Sequence, residues 1–262
     1  MNRRRIRAVF KRHWHATRHN PPEIFEMFYW AFLDLLIWGL FTTYLRREHV
    51  ELSASLGLLI GAVLLWTLMW RTQIGIAWTF LTELWSENVV SLLASPIRAS
   101  EYIAGALLWT LAQLAVGWTA MVALAWGFFR FGIFKLGWAL VPFTGALMLF
   151  GAAMSLTVLG LVLRFGPGAN MLGWGLGGLI MPLAAVYYPL RVLPGWVQSV
   201  AQMLPLARVL EAMRTVLAGR PAPYGSLGIA LALDVLYVVA AAVFAHRMFL
   251  TLRRRGYVTR YV

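Results

Sequence analysis

Cysteine is absent from these 262 residues. That excludes disulfides, thiolate metal sites and thiol nucleophiles. Acids are scarce, 10 against 23 Lys and Arg, and charged residues of any kind make up only 13% of the chain. Soluble domains carry about a quarter. No G-x-x-x-x-G-K-[ST] phosphate loop occurs, and the only two lysines, Lys11 and Lys135, both follow Phe. The chain is therefore expected not to hydrolyse ATP itself. Low-complexity tracts are missing, and so is the inverted repeat of some secondary transporters. Residues 1–20 are basic but lack an apolar core followed by a small-residue cleavage site, so no cleavable signal peptide is expected.

What fills the chain instead is apolar: 61% of its residues are hydrophobic. Several runs approach or exceed the roughly 20 residues that cross a bilayer. The expected fold class is an all-α integral membrane protein, ahead of a large soluble helical core. Six spans are predicted, at about 24–44, 53–78, 102–128, 138–163, 170–188 and 226–250. Asn20, Pro21 and Pro22 introduce the first, because the opening turn of a helix has no use for the missing N–H groups. Arg164, Gly166, Pro167 and Gly168 form a tight connection between the fourth and fifth. The whole of 1–262 reads as one transmembrane domain.

The net charge of +13 is concentrated at the ends, with seven basic residues among positions 1–18 and five from Arg247 onward. This suits anionic lipid headgroups better than nucleic acid. An even number of spans puts both termini on one side, and the basic ends place that side in the cytoplasm. Four arginines between Pro189 and Pro223 weaken that bias. Ile6, Val9, Phe10 and Trp14 fall near helical spacing, which predicts an amphipathic interfacial helix lying on the membrane surface.

The stretch LTELWSENVVSLLASPIRASEY, 81–102, interrupts this apolar pattern with three glutamates, an arginine and a proline. Leu81, Leu84, Trp85, Val89, Leu92 and Leu93 share one helical face, while Thr82, Glu83, Ser86, Glu87 and Ser91 share most of the other. Ser95 and Pro96 break the helix and can start another. A connection between spans needs only a handful of residues; this one uses about twenty. Either it anchors the fold at the interface or a soluble partner grips it as a rigid foot, and amphipathicity alone does not choose.

Here the chain resembles ABC-2 type transporter permeases. Glu83 and Glu87, followed by Ala94, Ser95, Pro96, Ile97 and Arg98, are similar to the family's cytoplasmic coupling region. Leu204, Pro205 and Leu206 with Glu211 and Arg214 resemble its "P-L-…-E-x-x-R" segment before the last span. Pro21 to Glu26 match its basic entry to the first span. The resemblance implies a permease that forms an export path as a homodimer or half-transporter pair, driven by separate cytoplasmic ABC ATPase subunits that hold ATP and Mg. It implies a bacterial inner-membrane location, a coupling helix at 79–101, and short re-entrant helices within 189–223. It makes Glu83, Glu87, Ser91, Ser95, Pro96 and Arg98 the ATPase-coupling candidates and Arg208, Glu211 and Arg214 a charged network, since neighbours at i, i+3 pair on a helix. Drug-like amphiphiles, lipid-linked glycans and lipids fit the family alike. Arg191, Arg208, Arg214 and Arg220 faintly favour an anionic substrate or lipid headgroups.

Asp34 and Asp234 are the acids deepest in apolar runs, and intramembrane acids are functional candidates by default. A structural hydrogen bond at a helix contact is the blander reading, since neither shows a basic partner in its own span. The alternative they raise is a proton-coupled secondary transporter; a membrane scaffold is a third reading. Gly173, Gly175, Gly177 and Gly178 mimic a dinucleotide fingerprint but lie inside an apolar run, so helix packing through Gly173 and Gly177, and through Gly57 and Gly61, is the expected use. His13, His15 and His19 lack the convergent acids of a metal site. Trp14, Tyr29, Trp30, Trp70, Trp78, Tyr187, Tyr188 and Trp196 are expected in an aromatic belt.

Overall fold

The computed structural model describes residues 2–47, 53–85, 97 and 99–255. Every regular element among them is helical. In chain order they are α1 (Arg3–Arg18), α2 (Pro21–Arg47), α3 (Ser53–Trp85), α4 (Ala99–Phe129), a 3-10 turn (Ile133–Ala139), α5 (Leu140–Phe165), α6 (Asn170–Leu183), α7 (Gly195–Ala201), α8 (Pro205–Leu217) and α9 (Tyr224–Arg255). Two further single 3-10 turns flank α6 and α7.

Among the described residues five helices are long and apolar enough to cross a membrane: Pro21–Tyr44, Gly57–Gly75, Ala104–Phe129, Ile133–Phe165 and Tyr224–Thr251. The predicted fifth span differs. α6 has 14 residues, about 21 Å of helix, short of the roughly 30 Å hydrocarbon layer. Pro182 stands in its last turn. Ala185 then takes a left-handed conformation at φ 52°, and the chain leaves the helix. The second span differs at its other end. α3 continues unbroken to Trp85, so the start of the charged stretch is the end of a long helix rather than a separate one.

Contacts fix how the helices run. The Trp118 indole of α4 donates to the Leu64 carbonyl of α3 at 3.1 Å, and Thr110 touches Gly75; α3 and α4 are antiparallel. Gly151 of α5 faces Met69 and Thr72, and Ser155 accepts from the Ala77 amide at 2.8 Å; α3 and α5 are parallel. Phe150 meets Tyr237 and Gly160 meets Phe244 and Ala245, so α5 and α9 are parallel too. The end of α9 therefore lies at the same end of the bundle as the start of α4, where α1 docks. We call this the near end. α6 returns the chain from the near end towards α8 at the far end, where α9 begins.

In lipid the burial of apolar surface no longer drives helix association; close packing and satisfied polar groups do. Gly151 illustrates the first. A Cβ there would stand 2.6 Å from the Met69 carbonyl oxygen, so only glycine allows the α3–α5 crossing. The small residues singled out from sequence serve the same end as seats for side chains. Gly177 lies under Trp70, Gly173 against Val158, and Gly61 against Met213 and Leu217 of α8. The main core joins α3, α5 and α8, with Leu64, Leu65, Met69, Phe143, Leu147, Leu206, Leu210 and Met213 fully enclosed. α2 contributes little to it and turns Phe25, Trp30, Ile37, Leu40, Phe41 and Tyr44 outward.

Candidate functional site: the near-end clamp and the polar groups within the bundle

Asn2 caps α1, its side-chain oxygen accepting from the Arg4 amide at 3.0 Å, as expected for Asn at a helix start. Its own backbone N–H donates to Glu101 Oε1 at 2.8 Å. Arg5 Nη1 reaches Glu101 Oε2 at 3.3 Å. Glu101 is only 2% exposed and sits in the first turn of α4, where a carboxylate also complements the helix dipole. Gly105, one turn on, leaves room for Val9; a Cβ there would lie 2.6 Å from the Val9 Cβ. Phe10 and Trp14 meet Trp109 edge-on at 5.6 and 6.0 Å. At the other end of α1, the Thr17 hydroxyl donates to Glu23 Oε1 at 2.8 Å, tying it to the first turn of α2. Val9 and Phe10, expected to lie on lipid, are thus spent on α4, while Trp14 touches Trp109 and stays 49% exposed.

Glu101 is the residue that sequence reasoning missed. It lies in the conspicuous 81–102 stretch, but its partners are 96 and 99 positions away, beyond the reach of any local pattern. Of the predicted coupling residues, Glu87, Ser91, Ser95, Pro96 and Arg98 lie outside the described residues. Glu83 is on the last turns of α3, and its side chain is likewise outside them. Ile97, the one described residue between α3 and α4, packs against Val9 of α1 and Ala106 of α4.

Within the bundle, Asp34 has a basic neighbour after all, on a different helix. Arg71 of α3 lies within electrostatic reach of Asp34 and Glu26 and donates to the Glu26 carbonyl at 3.3 Å. Tyr187 completes the surroundings, stacked on Trp38 with ring centres 3.9 Å apart. Asp34, Arg71 and Tyr187 therefore bring together α2, α3 and the segment after α6. Asp234 contrasts with this. It is 0% exposed, and among the described residues neither carboxylate oxygen has a hydrogen-bond partner.

At the far end Arg214 is the organising group. Its guanidinium donates to Glu211 Oε1 at 2.9 Å, to Val186 O at 3.0 Å and to Ala185 O. Glu211 Oε1 also accepts from the Leu190 amide at 2.7 Å. The left-handed turn at Ala185 presents those carbonyls, and a planar five-donor guanidinium suits several acceptors at once. Arg208 does not join them; it donates to the Gln202 carbonyl at 2.6 Å. Arg214 is turned inward and drops out of the outward cationic set, while Arg191 and Arg220 remain exposed. Trp70 also leaves the belt: it stacks on Trp66 and meets Trp174 edge-on. Trp196, 76% exposed, and Trp30, 54% exposed, face outward.

These features define a multi-span helical membrane protein with a docked amphipathic helix at one end and a buried short helix, α8, at the other. The sequence profile described as ABC-2 type transporter matches residues 4–218, and the chain belongs to that family. It is a transporter permease, and membership implies an ABC ATPase partner in general. No curated protein matches it.

Proposed function

We propose that this chain is the membrane-spanning subunit of an ATP-binding-cassette exporter in a bacterial inner membrane. It works as a dimer, with both termini in the cytoplasm and ATP and Mg held by separate ATPase subunits. On this reading α6 together with the turn that follows it, 170–188, makes the fifth of six passages, and α7 and α8 are re-entrant helices on the outer side. The segment joining α3 to α4 is the coupling region. The observation that carries the reading is the Glu101 clamp. A partner pressing on 86–98 bears directly on the end of α3 and the start of α4. Through Glu101, Arg5 and Asn2 it also bears on α1, and through Thr17 and Glu23 on α2. One soluble contact then tilts three spans, which is what a transporter without its own nucleotide site requires. The outward apolar face of α2 offers a surface for the second copy.

The test is purification of tagged protein in mild detergent from its native cells, with mass spectrometry of what stays bound. A co-purifying ATPase subunit whose hydrolysis this chain stimulates is expected. Stimulation should fall in the Glu87→Gln, Arg98→Gln double variant while insertion persists. A homo-oligomer without ATPase in both detergent and nanodiscs overturns the reading.

The burial of Asp234 with no hydrogen-bond partner among the described residues favours one rival, a secondary transporter driven by protons through Asp34 and Asp234. Asp234→Asn and Asp34→Asn decide between them. Loss of flux driven by a pH gradient supports the rival, and unaltered ATP-dependent export by both variants removes it.

A further inference from the structure

The face of α1 turned away from α4 has a use of its own. At 100° per residue, Arg4, Arg7, Lys11 and Arg18 fall within one narrow arc, flanked by Trp14 and His15. All six are exposed, and Trp14 is 49% exposed. The opposite arc holds Val9 and Thr17, the two buried residues of the helix. No carboxylate pairs with the four cations among the described residues. Docking on α4 has sorted the helix into an apolar inner side and a cationic outer one.

The two ends of α1 set its depth. Asn2 and Arg5 are held by Glu101, three residues before the span Ala104–Phe129. Thr17 is held by Glu23, inside the span that starts at Pro21. A helix of 16 residues anchored at both ends where two spans begin must lie in the plane of the headgroups. Exposed Phe25, Tyr29 and Trp30 on the adjoining turns of α2 are the side chains that favour that level. Lipid phosphates surround it there at high density, whereas a soluble partner has to approach from outside.

We infer that the Arg4, Arg7, Lys11 and Arg18 stripe is a docking surface for anionic phospholipid headgroups. Four cations on one line, with no carboxylate paired to them among the described residues, favour a surface of negative charge over a zwitterionic one. The inference does not depend on an ATPase partner.

The absence of native cysteine makes the test direct. Ala8, exposed beside the stripe, is replaced by Cys and spin-labelled in the full chain. The protein is placed in nanodiscs of phosphatidylcholine, or of an equimolar mixture with phosphatidylglycerol. The label should slow and lose access to an aqueous relaxation agent in the anionic discs. The R4Q, R7Q, K11Q, R18Q variant should abolish the difference, each cation being worth about fivefold in affinity for the surface. Added salt should abolish it in the unaltered stripe, a measurement that does not rely on the variant's folding. Equal mobility in both discs overturns the proposal, as does a difference that survives both salt and the variant. Slowing that appears only when an ATPase subunit is added, in either lipid, assigns the stripe to an acidic protein surface instead.

Discussion

The two ends of the bundle solve one problem in opposite ways. Each carries an amphipathic helix fastened by an arginine and a glutamate. At the far end the pair is local, Glu211 and Arg214 on one turn of α8, and Arg214 is 9% exposed. It also holds two backbone carbonyls, and most of α8 is buried with it. At the near end the pair is long-range. Arg5 is 37% exposed against the 2% of Glu101, and only Val9 and Thr17 of α1 are buried. The far end is built as part of the core. The near end is a helix laid against the outside of it, held by Val9 in the Gly105 seat and by the Glu101 clamp. On the proposed function, a partner at the near end acts through the less buried of the two helices.

The largest effect that would sharpen this contrast is Arg214→Ala. It strands the Ala185 and Val186 carbonyls and leaves the part-exposed Glu211 only the Leu190 amide, and should cost about 2–3 kcal/mol. Thermal unfolding in detergent should show it, and Arg214→Lys should recover only part. A near-wild-type midpoint for Arg214→Ala would mean that the far end is not the rigid one. Next is Gly151→Ala, which forces α3 and α5 apart at the Met69 carbonyl. A loss of about 1–3 kcal/mol is expected, again in the global unfolding midpoint.

Glu101→Ala should behave differently. Asn2 and Arg5 can turn to water, so the loss is about 1–2 kcal/mol and confined to α1. Limited proteolysis should release the first 18 residues while the bundle's midpoint stays put. A drop in that midpoint would break the comparison from the other side.

The smallest effect is pH. Burial, helped by the Arg12 guanidinium, lowers the His13 pKa from 6.5 to about 4. Docked α1 thus holds His13 neutral where the undocked helix would take a proton. Its contribution to docking is complete above pH 6.5 and is lost progressively as pH falls towards 4. Cleavage of α1 should rise over that window, and His13→Phe should flatten the profile.

The helical membrane class, the entry at Pro21 and Pro22, and the basic helix before it were all legible in the sequence. So was the exceptional character of 81–102. Each is a local property: apolar length, missing N–H groups, helical spacing. What was not legible depends on which helix lies beside which. Arg71 sits inside an apolar run, and nothing near it in sequence announces Asp34. Arg208 shares a helix with Glu211 and Arg214, but its direction sends it to Gln202. α6 stops short through a left-handed alanine that no glycine signals.

The sequence by itself therefore determined that the chain crosses a bilayer repeatedly and which ends carry charge, because lipid imposes length and apolarity on every span separately. Only the tertiary structure decided what each buried polar group answers to. It gave Glu101 an amide and a guanidinium from across the chain, gave Arg214 its carbonyls, and gave Asp234 no hydrogen-bond partner among the described residues. The partners of a polar group in a low-dielectric interior are set by three-dimensional neighbours, and order along the chain does not encode them.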